Sequence, residues 1–226
     1  MTLILISRGG MAVCLSLLFT VQCAKAQSPA GGADRAATLA SSYTRPAYVP
    51  PTPRQRFRDY MEHLAGPEAV LRSLAGAGIT QALNTPSEWG QGAEAYGRRL
   101  ASSFGGHAIA ATVTYGASSV LHEDNRYFGS GLTGFGPRFK YAIVSSFTAR
   151  HEDGSRHFAF SRIGGYVAGA ALSRTWQPPS TRGWIHAADS FSIYVASETG
   201  FNIAREFLPG FFHTRQALAP GQGGAH

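Results

Sequence analysis

"KYAIVSSFTARHEDGSRHFAFSRIGGYVAGAAL", Lys140 to Leu172, decides the fold. Read one way, it is two strands of an outer-membrane barrel joined at Asp153-Gly154, a strong hairpin dipeptide. "TVTYG" at Thr112 and "FSIYV" at Phe191 also favour strands. Read the other way, it is helix, turn and helix. The apolar residues do not keep the period of two that a barrel strand between lipid and lumen requires. The chain has no terminal strand ending in an aromatic residue. Alanine-rich runs stopped by proline favour helices. The expected fold class is therefore all-α, a compact bundle of about six or seven helices packed through Gly/Ala faces, with an outer-membrane β-barrel as the alternative.

Two helix starts are marked by capping boxes with proline at the first helical position, "TPRQ" at Thr52 and "TPSE" at Thr85. A first helix is expected over Pro53 to Leu64 and a second over Pro67 to Leu83. A third follows the Thr85 cap to about Phe104. Gly105-Gly106 is a break, and a fourth runs from His107 to Leu121. A glycine-rich loop, Glu123 to Pro137, precedes a fifth segment, Arg138 to Ala149. A sixth, His157 to Trp176, stops at Pro178-Pro179, and a seventh, Trp184 to Phe207, stops at Pro209-Gly210.

Small residues recur at helical spacing. Gly165 and Gly169 form a GxxxG, Gly164 and Ala168 repeat it one residue earlier, and Ala196 and Gly200 share the spacing. Such strips let another backbone approach closely and gain dispersion contacts. The expectation is close packing inside one bundle, with self-association through the Gly165/Gly169 face as the rival. Arg162 and Arg174 bracket one apolar run and Glu198 interrupts another, so no segment after the leader offers the eighteen or more apolar residues of a free spanning helix.

The ends of the chain indicate a compartment. Arg8, the apolar run Met11 to Val21 and Ala24-Lys25-Ala26 read as a secretory signal peptide over 1–26, cleaved before Gln27. Cys14 and Cys23 both lie inside it, which excludes disulfides, thiolate nucleophiles and cysteine-held metals from the mature chain. Removing Arg8 and Lys25 lowers the net charge from +7 to +5, and Lys140 is the sole remaining lysine. Arginine-rich basic charge in an exported chain suits a membrane surface or an envelope component; no nucleic-acid partner is expected. Residues 27–51 read as a disordered linker, 52–215 as a single helical domain and 216–226 as a disordered tail. The localisation expected is the periplasm or the outer membrane.

Two clusters could carry chemistry. "LHEDNRYF", Leu121 to Phe128, puts an imidazole and two carboxylates in sequence. A histidine titrates near neutrality, and a neighbouring carboxylate can fix its tautomer. His122, Glu123 and Asp124, joined by Glu94, are the candidate catalytic residues of a periplasmic hydrolase. Against that, neighbours on a helix point in different directions. The structural alternative makes the cluster a latch. In it His122 ends a helix, Glu123 or Asp124 pairs with Arg126 or Arg98, and Tyr127 and Phe128 hold the loop down. "EWGQGAEAYGRR", Glu88 to Arg99, places Trp89 beside glycines as a groove wall or as an anchor for a helix start. No zinc helix, nucleophile elbow, P-loop or dinucleotide fingerprint is present, and no metal or cofactor is expected.

"EWGQGAEAYGRR", "LHEDNRYF" and "FAFSRIGG", in this order, resemble a family of exported proteins of soil bacteria, over roughly Pro53 to Phe207. The resemblance implies that the three motifs work as one unit and brings no activity, cofactor or partner with it. The function expected is that of a non-enzymatic, membrane-associated structural or interaction protein of the cell envelope, with the hydrolase as the alternative.

Overall fold

The computed structural model describes residues 47–210 and Phe212. The expected signal peptide over 1–26, residues 27–46 of the expected linker and the expected tail over 216–226 lie outside the described residues. Among the described residues there are six α-helices: α1 (Pro53–Ala65), α2 (Pro67–Ala82), α3 (Ala93–Val120), α4 (Phe135–Ser145), α5 (Phe160–Leu172) and α6 (Trp184–Phe207). A short hairpin, β1 (Thr148–Arg150) with β2 (Arg156–Phe158), joins α4 to α5. The fold is all-α, as expected, and the deciding stretch forms helix, hairpin and helix. The Asp153-Gly154 turn signal was real, but the strands it joins have three residues each.

Helix α3 is the spine. Helices α1, α2 and α5 pack along it, and α6 packs against α4 and α5. Helix α5 runs antiparallel to α3, so the glycine strip meets successive turns of the spine. A Cβ on Gly165 would run into the Thr114 hydroxyl and sit 2.6 Å from Ala110 O; one on Gly169 would sit 2.7 Å from Gly106 O. The Gly165/Gly169 face is thus covered by the chain's own helix, which corrects the self-association reading. Gly164 and Gly200, which belong to the other small-residue pairs, face open space.

Several boundaries move. The Thr52 capping box forms: its side chain accepts from Gln55 N–H while the Gln55 side chain accepts from Thr52 N–H. The Thr85 box does not. The Thr85–Pro86 peptide is cis, Ser87–Trp89 is one 3₁₀ turn, and α3 starts only after Gly92, whose φ of 101° a side chain would resist. Gly105-Gly106 is not a break but the middle of α3. There the missing side chains admit the Trp176 ring and the Tyr194 hydroxyl. Helix α4 begins at Phe135 and ends at Ser145, because the residues up to Arg150 enter the hairpin. Helix α5 starts at Phe160 and is finished by a 3₁₀ turn, Ser173–Trp176. Residues 47–51, expected as part of a disordered linker, pack on the domain: Tyr48 OH reaches Asp124 at 3.1 Å and Arg126 donates to Val49 O.

The distribution of polarity is inverted. Among the described residues no Val, Leu, Ile, Met or Trp is buried. The buried apolar residues are ten alanines, Phe128 and Tyr166, whereas Arg99, Glu123, Asp124, Arg150, Arg162, Glu198, Asn202 and Glu206 are all buried. Helix α2 shows the pattern on one element. It buries Ala69, Ser73 and Ala77 at four-residue spacing and exposes Val70, Leu71 and Leu74. Helix α5 does likewise, with Ser161, Gly165 and Gly169 inward and Phe160 and Val167 outward.

Candidate functional site

Helix α3 closes in a Schellman motif. Glu123 N–H donates to Ser118 O at 3.0 Å, and His122 takes the left-handed φ of 54° that the motif requires. This turns His122 outward, where its Nδ1 lies 2.8 Å from Glu152 Oε1 on the hairpin, both side chains exposed. The next two residues go the other way. The Glu123 carboxylate accepts from Phe160 N–H at 3.2 Å, Ser161 N–H at 2.9 Å and the Ser161 hydroxyl at 2.5 Å. Helix α5 has Ala159 at its N-cap position and no cap of its own, so Glu123 supplies the cap from a distant part of the chain. Asp124 is held by Arg126, with Nη2 at 2.6 Å, and by the Tyr48 hydroxyl. It also bridges to Arg150 through paired backbone hydrogen bonds.

The aromatic end of the motif anchors the loop. Phe128 is buried under Tyr48 and beneath the guanidiniums of Arg126 and Arg150. The Tyr127 hydroxyl donates to Glu206 Oε2 at 2.6 Å. Glu206 also receives the Ser130 hydroxyl at 2.5 Å and Arg138 Nε at 3.0 Å. Burial alone would raise the Glu206 pKa; hydrogen bonds from Ser130, Tyr127 and Arg138 outweigh it and hold the carboxyl below its usual range. Arg162 complements the cap on α5: its guanidinium donates to Ser145 O, Ser146 O and Asn125 O, closing the C-terminal end of α4.

Glu94 stands apart. It is exposed near the start of α3 and pairs with Arg98 at 2.6 Å, so Arg98 serves neither Glu123 nor Asp124. Twenty-six helical residues separate Glu94 from Val120, which is about 40 Å of helix at 1.5 Å per residue. The four candidate catalytic residues therefore do not meet: His122 faces solvent, Glu123 and Asp124 are committed to structural bonds, and Glu94 lies at the opposite end. Trp89 instead faces Trp176, with Arg98 and Ser102, across a shallow groove.

A cavity of about 110 Å³ lies between α1, α2, α3, α5 and α6. Its wall carries His63, His107, Arg72, Arg174, Tyr166 and Tyr194, with serines 73, 102, 103, 173, 190 and 197. Arg72 is balanced from behind by Glu68 at 2.6 Å and Glu198 at 2.9 Å, and Arg205 completes the ion network. Burial opposes the charge on Glu198, but Arg72, Arg162 and Arg205 prevail and depress its pKa. Burial, then the charges of Arg72 and His107, push the His63 pKa down to about 3; burial also lowers that of His107. Both imidazoles are thus neutral near pH 7, with His107 Nε2 2.7 Å from His63 O. Burial raises the Tyr194 hydroxyl to about 12. Among the described residues, no three His, Cys, Asp or Glu side chains come together as a metal site.

Sequence reasoning missed this cavity, because its residues come from five helices and no short motif joins them. One signal was present: Ser73, Gly76 and Thr80 form a polar strip on α2 opposite its apolar one. Compared with protein-family models, with curated proteins and with solved structures, the chain matches none.

Proposed function

We propose that this is a non-enzymatic protein of the cell envelope, exported through the secretory pathway, that associates with a membrane through its outward apolar faces and has a structural or interaction role. One observation carries the reading: ion pairs and serines lie inside while Val, Leu, Ile and Phe side chains lie outside on every helix. A chain that folds against water places its large aliphatic side chains inside, and apolar exposure beyond scattered single residues marks a contact surface. Where lipid covers the outside, burying aliphatic side chains gains nothing, and close packing of small residues with internal hydrogen bonds holds helices together. Alanine, glycine and serine interfaces with satisfied ion networks fit that regime.

The tryptophans support the reading. Trp89 and Trp176 line one shallow groove beside the first half of α3, and Trp184, at the start of α6, is 83% exposed. Tryptophan prefers the boundary between headgroups and acyl chains. No helix among the described residues is long and apolar enough to cross a membrane. The association proposed is therefore interfacial, with apolar side chains entering the boundary layer.

Fractionation of cells expressing the full chain tests this. The protein is expected in the envelope fraction, resistant to a high-salt wash and released by detergent, with its mature N-terminus near Gln27. Recovery in the soluble fraction without detergent would overturn the membrane reading.

A further inference from the structure

We propose that the cavity between α1, α2, α3, α5 and α6 binds a small oxyanion, a carboxylate or a phosphate, with Arg174 as its principal cation. The wall carries two guanidiniums and no carboxylate. Arg72 is already neutralised by Glu68 and Glu198. Arg174 is not. Its donors go to Thr181 O, the Ser173 hydroxyl and the Ser190 hydroxyl, all neutral, and no carboxylate of the described residues lies within ion-pair distance. Asp189, on the same helix as Ser190, lies against His186 instead. The Arg174 Nε is buried without a hydrogen-bond partner. A partly buried cation with Asp189 as its nearby carboxylate, beyond ion-pair distance, is incompletely compensated, a liability that a bound anion relieves.

The neutral groups fit the same ligand. The hydroxyls of Tyr194, Ser103 and Ser197 line the cavity and make no hydrogen bond with the described residues. Hydroxyl donors beside a guanidinium are a usual setting for carboxylate or phosphate oxygens. An apolar ligand would leave these hydroxyls unsatisfied, a cation would meet Arg174, and a neutral polyol would leave its charge uncompensated. The volume of about 110 Å³ equals roughly three or four waters at their liquid share, which limits the buried part of the ligand to a few heavy atoms.

This proposal does not rest on the membrane reading, because soluble probes test it. Calorimetric titrations of the purified mature chain would use inorganic phosphate, sodium acetate and micelles of a short-chain phosphatidylglycerol, each against sodium chloride at matched ionic strength. Saturable binding of at least one probe is expected. A response to phosphate or acetate identifies a free anion, and a response to the micelles alone identifies a lipid headgroup. Arg174→Gln should weaken that binding about ten- to a hundredfold, as loss of a charge-assisted hydrogen bond does. Tyr194→Phe removes only the hydroxyl and should weaken it several-fold with the melting temperature unchanged; it decides the matter if Arg174→Gln fails to fold. No saturable binding of any probe by the wild-type chain would overturn the proposal. So would unchanged affinity in the folded variants.

Discussion

Glu123 and Ser161 are thirty-eight residues apart, yet the carboxylate of the first accepts both the backbone N–H and the hydroxyl of the second, at 2.9 and 2.5 Å. That contact ties the end of α3 to the start of α5. The first N–H groups of a helix lack partners within it, and here that of Ser161 is buried and that of Phe160 partly so. Glu123→Ala is expected to cost about 2–4 kcal/mol, combining unsatisfied buried donors with a lost charge at a helix N-terminus. Glu123→Gln keeps one acceptor oxygen and should cost less. Thermal melts of the two variants check the order, and equal melting temperatures would remove the capping role.

His122 offers the opposite expectation. It sits at φ 54°, where glycine is the unstrained choice, and its ion pair with Glu152 is exposed. Exposed pairs contribute about 0–1 kcal/mol, and relief of a left-handed side chain returns a similar amount. His122→Gly should therefore melt within about 1 kcal/mol of wild type, on either side. A loss of several kcal/mol would show that the imidazole does more than end a helix.

The sequence made the helices legible and the interior illegible, for one physical reason. Local signals operate within a few residues. The Thr52 cap, the Pro67 start and the α6 stop at Pro209 act on their own turns, and each was readable. The Thr85 cap and the Gly105-Gly106 break were misread because neighbours distant in sequence decided them. Arg99 gathers the carbonyls of Thr85 and Pro86, and Trp176 and Tyr194 fill the space beside the glycines. In the candidate cluster, the anchoring roles of Arg126, Tyr127 and Phe128 followed from composition. The partner of Glu123 did not, since nothing near it in sequence names Ser161. The inverted core misled in a further way. The apolar residues of α2, Val70, Leu71 and Leu74, point outward, and the small ones point in.

The glycine strip gives a paired prediction. At Gly165 and Gly169 a methyl group would strike α3, so Gly165→Ala and Gly169→Ala should each cost about 1–3 kcal/mol, as overpacking does. Gly164 directly precedes Gly165 on α5 and faces open space. Gly164→Ala should stabilise by up to about 1 kcal/mol through helix propensity alone. Melts in one detergent compare the three. A cost at Gly164 equal to that at Gly165 would mean that α5 is oriented otherwise.

The buried ion network predicts a large single effect. Glu198 is buried and faces Arg72 at 2.9 Å and Arg205 at 3.7 Å. Removing one partner of such a pair leaves an uncompensated buried charge, which costs about 3–5 kcal/mol. Glu198→Ala should approach that cost, while Glu94→Ala, whose pair with Arg98 is exposed, should change little. Comparable effects from the two would contradict the burial assigned to α6.

Acid should destabilise the protein in two stages, and the sign follows from the groups involved. His63 is held neutral, its pKa pushed down to about 3 by burial and by Arg72 and His107, and His107 is shifted the same way. In the unfolded chain both titrate near the ordinary value of about 6.5. Below that value the unfolded state binds protons that the folded state refuses, so stability falls as pH drops. The first stage begins near pH 6.5, where carboxylates are still ionised. The second begins near the ordinary glutamate value of 4.5: Glu198 and Glu206 are depressed below it, and the stability they contribute is lost as the unfolded chain protonates. Melting temperatures in one buffer series should decline from about pH 7 to about pH 5 and then fall more steeply. His63→Gln, which cannot protonate, should flatten the first stage and leave the second in place. A wild-type melting temperature that stays constant between about pH 7 and about pH 5 would mean that the two histidines are open to solvent, and the cavity they line would have to be redrawn.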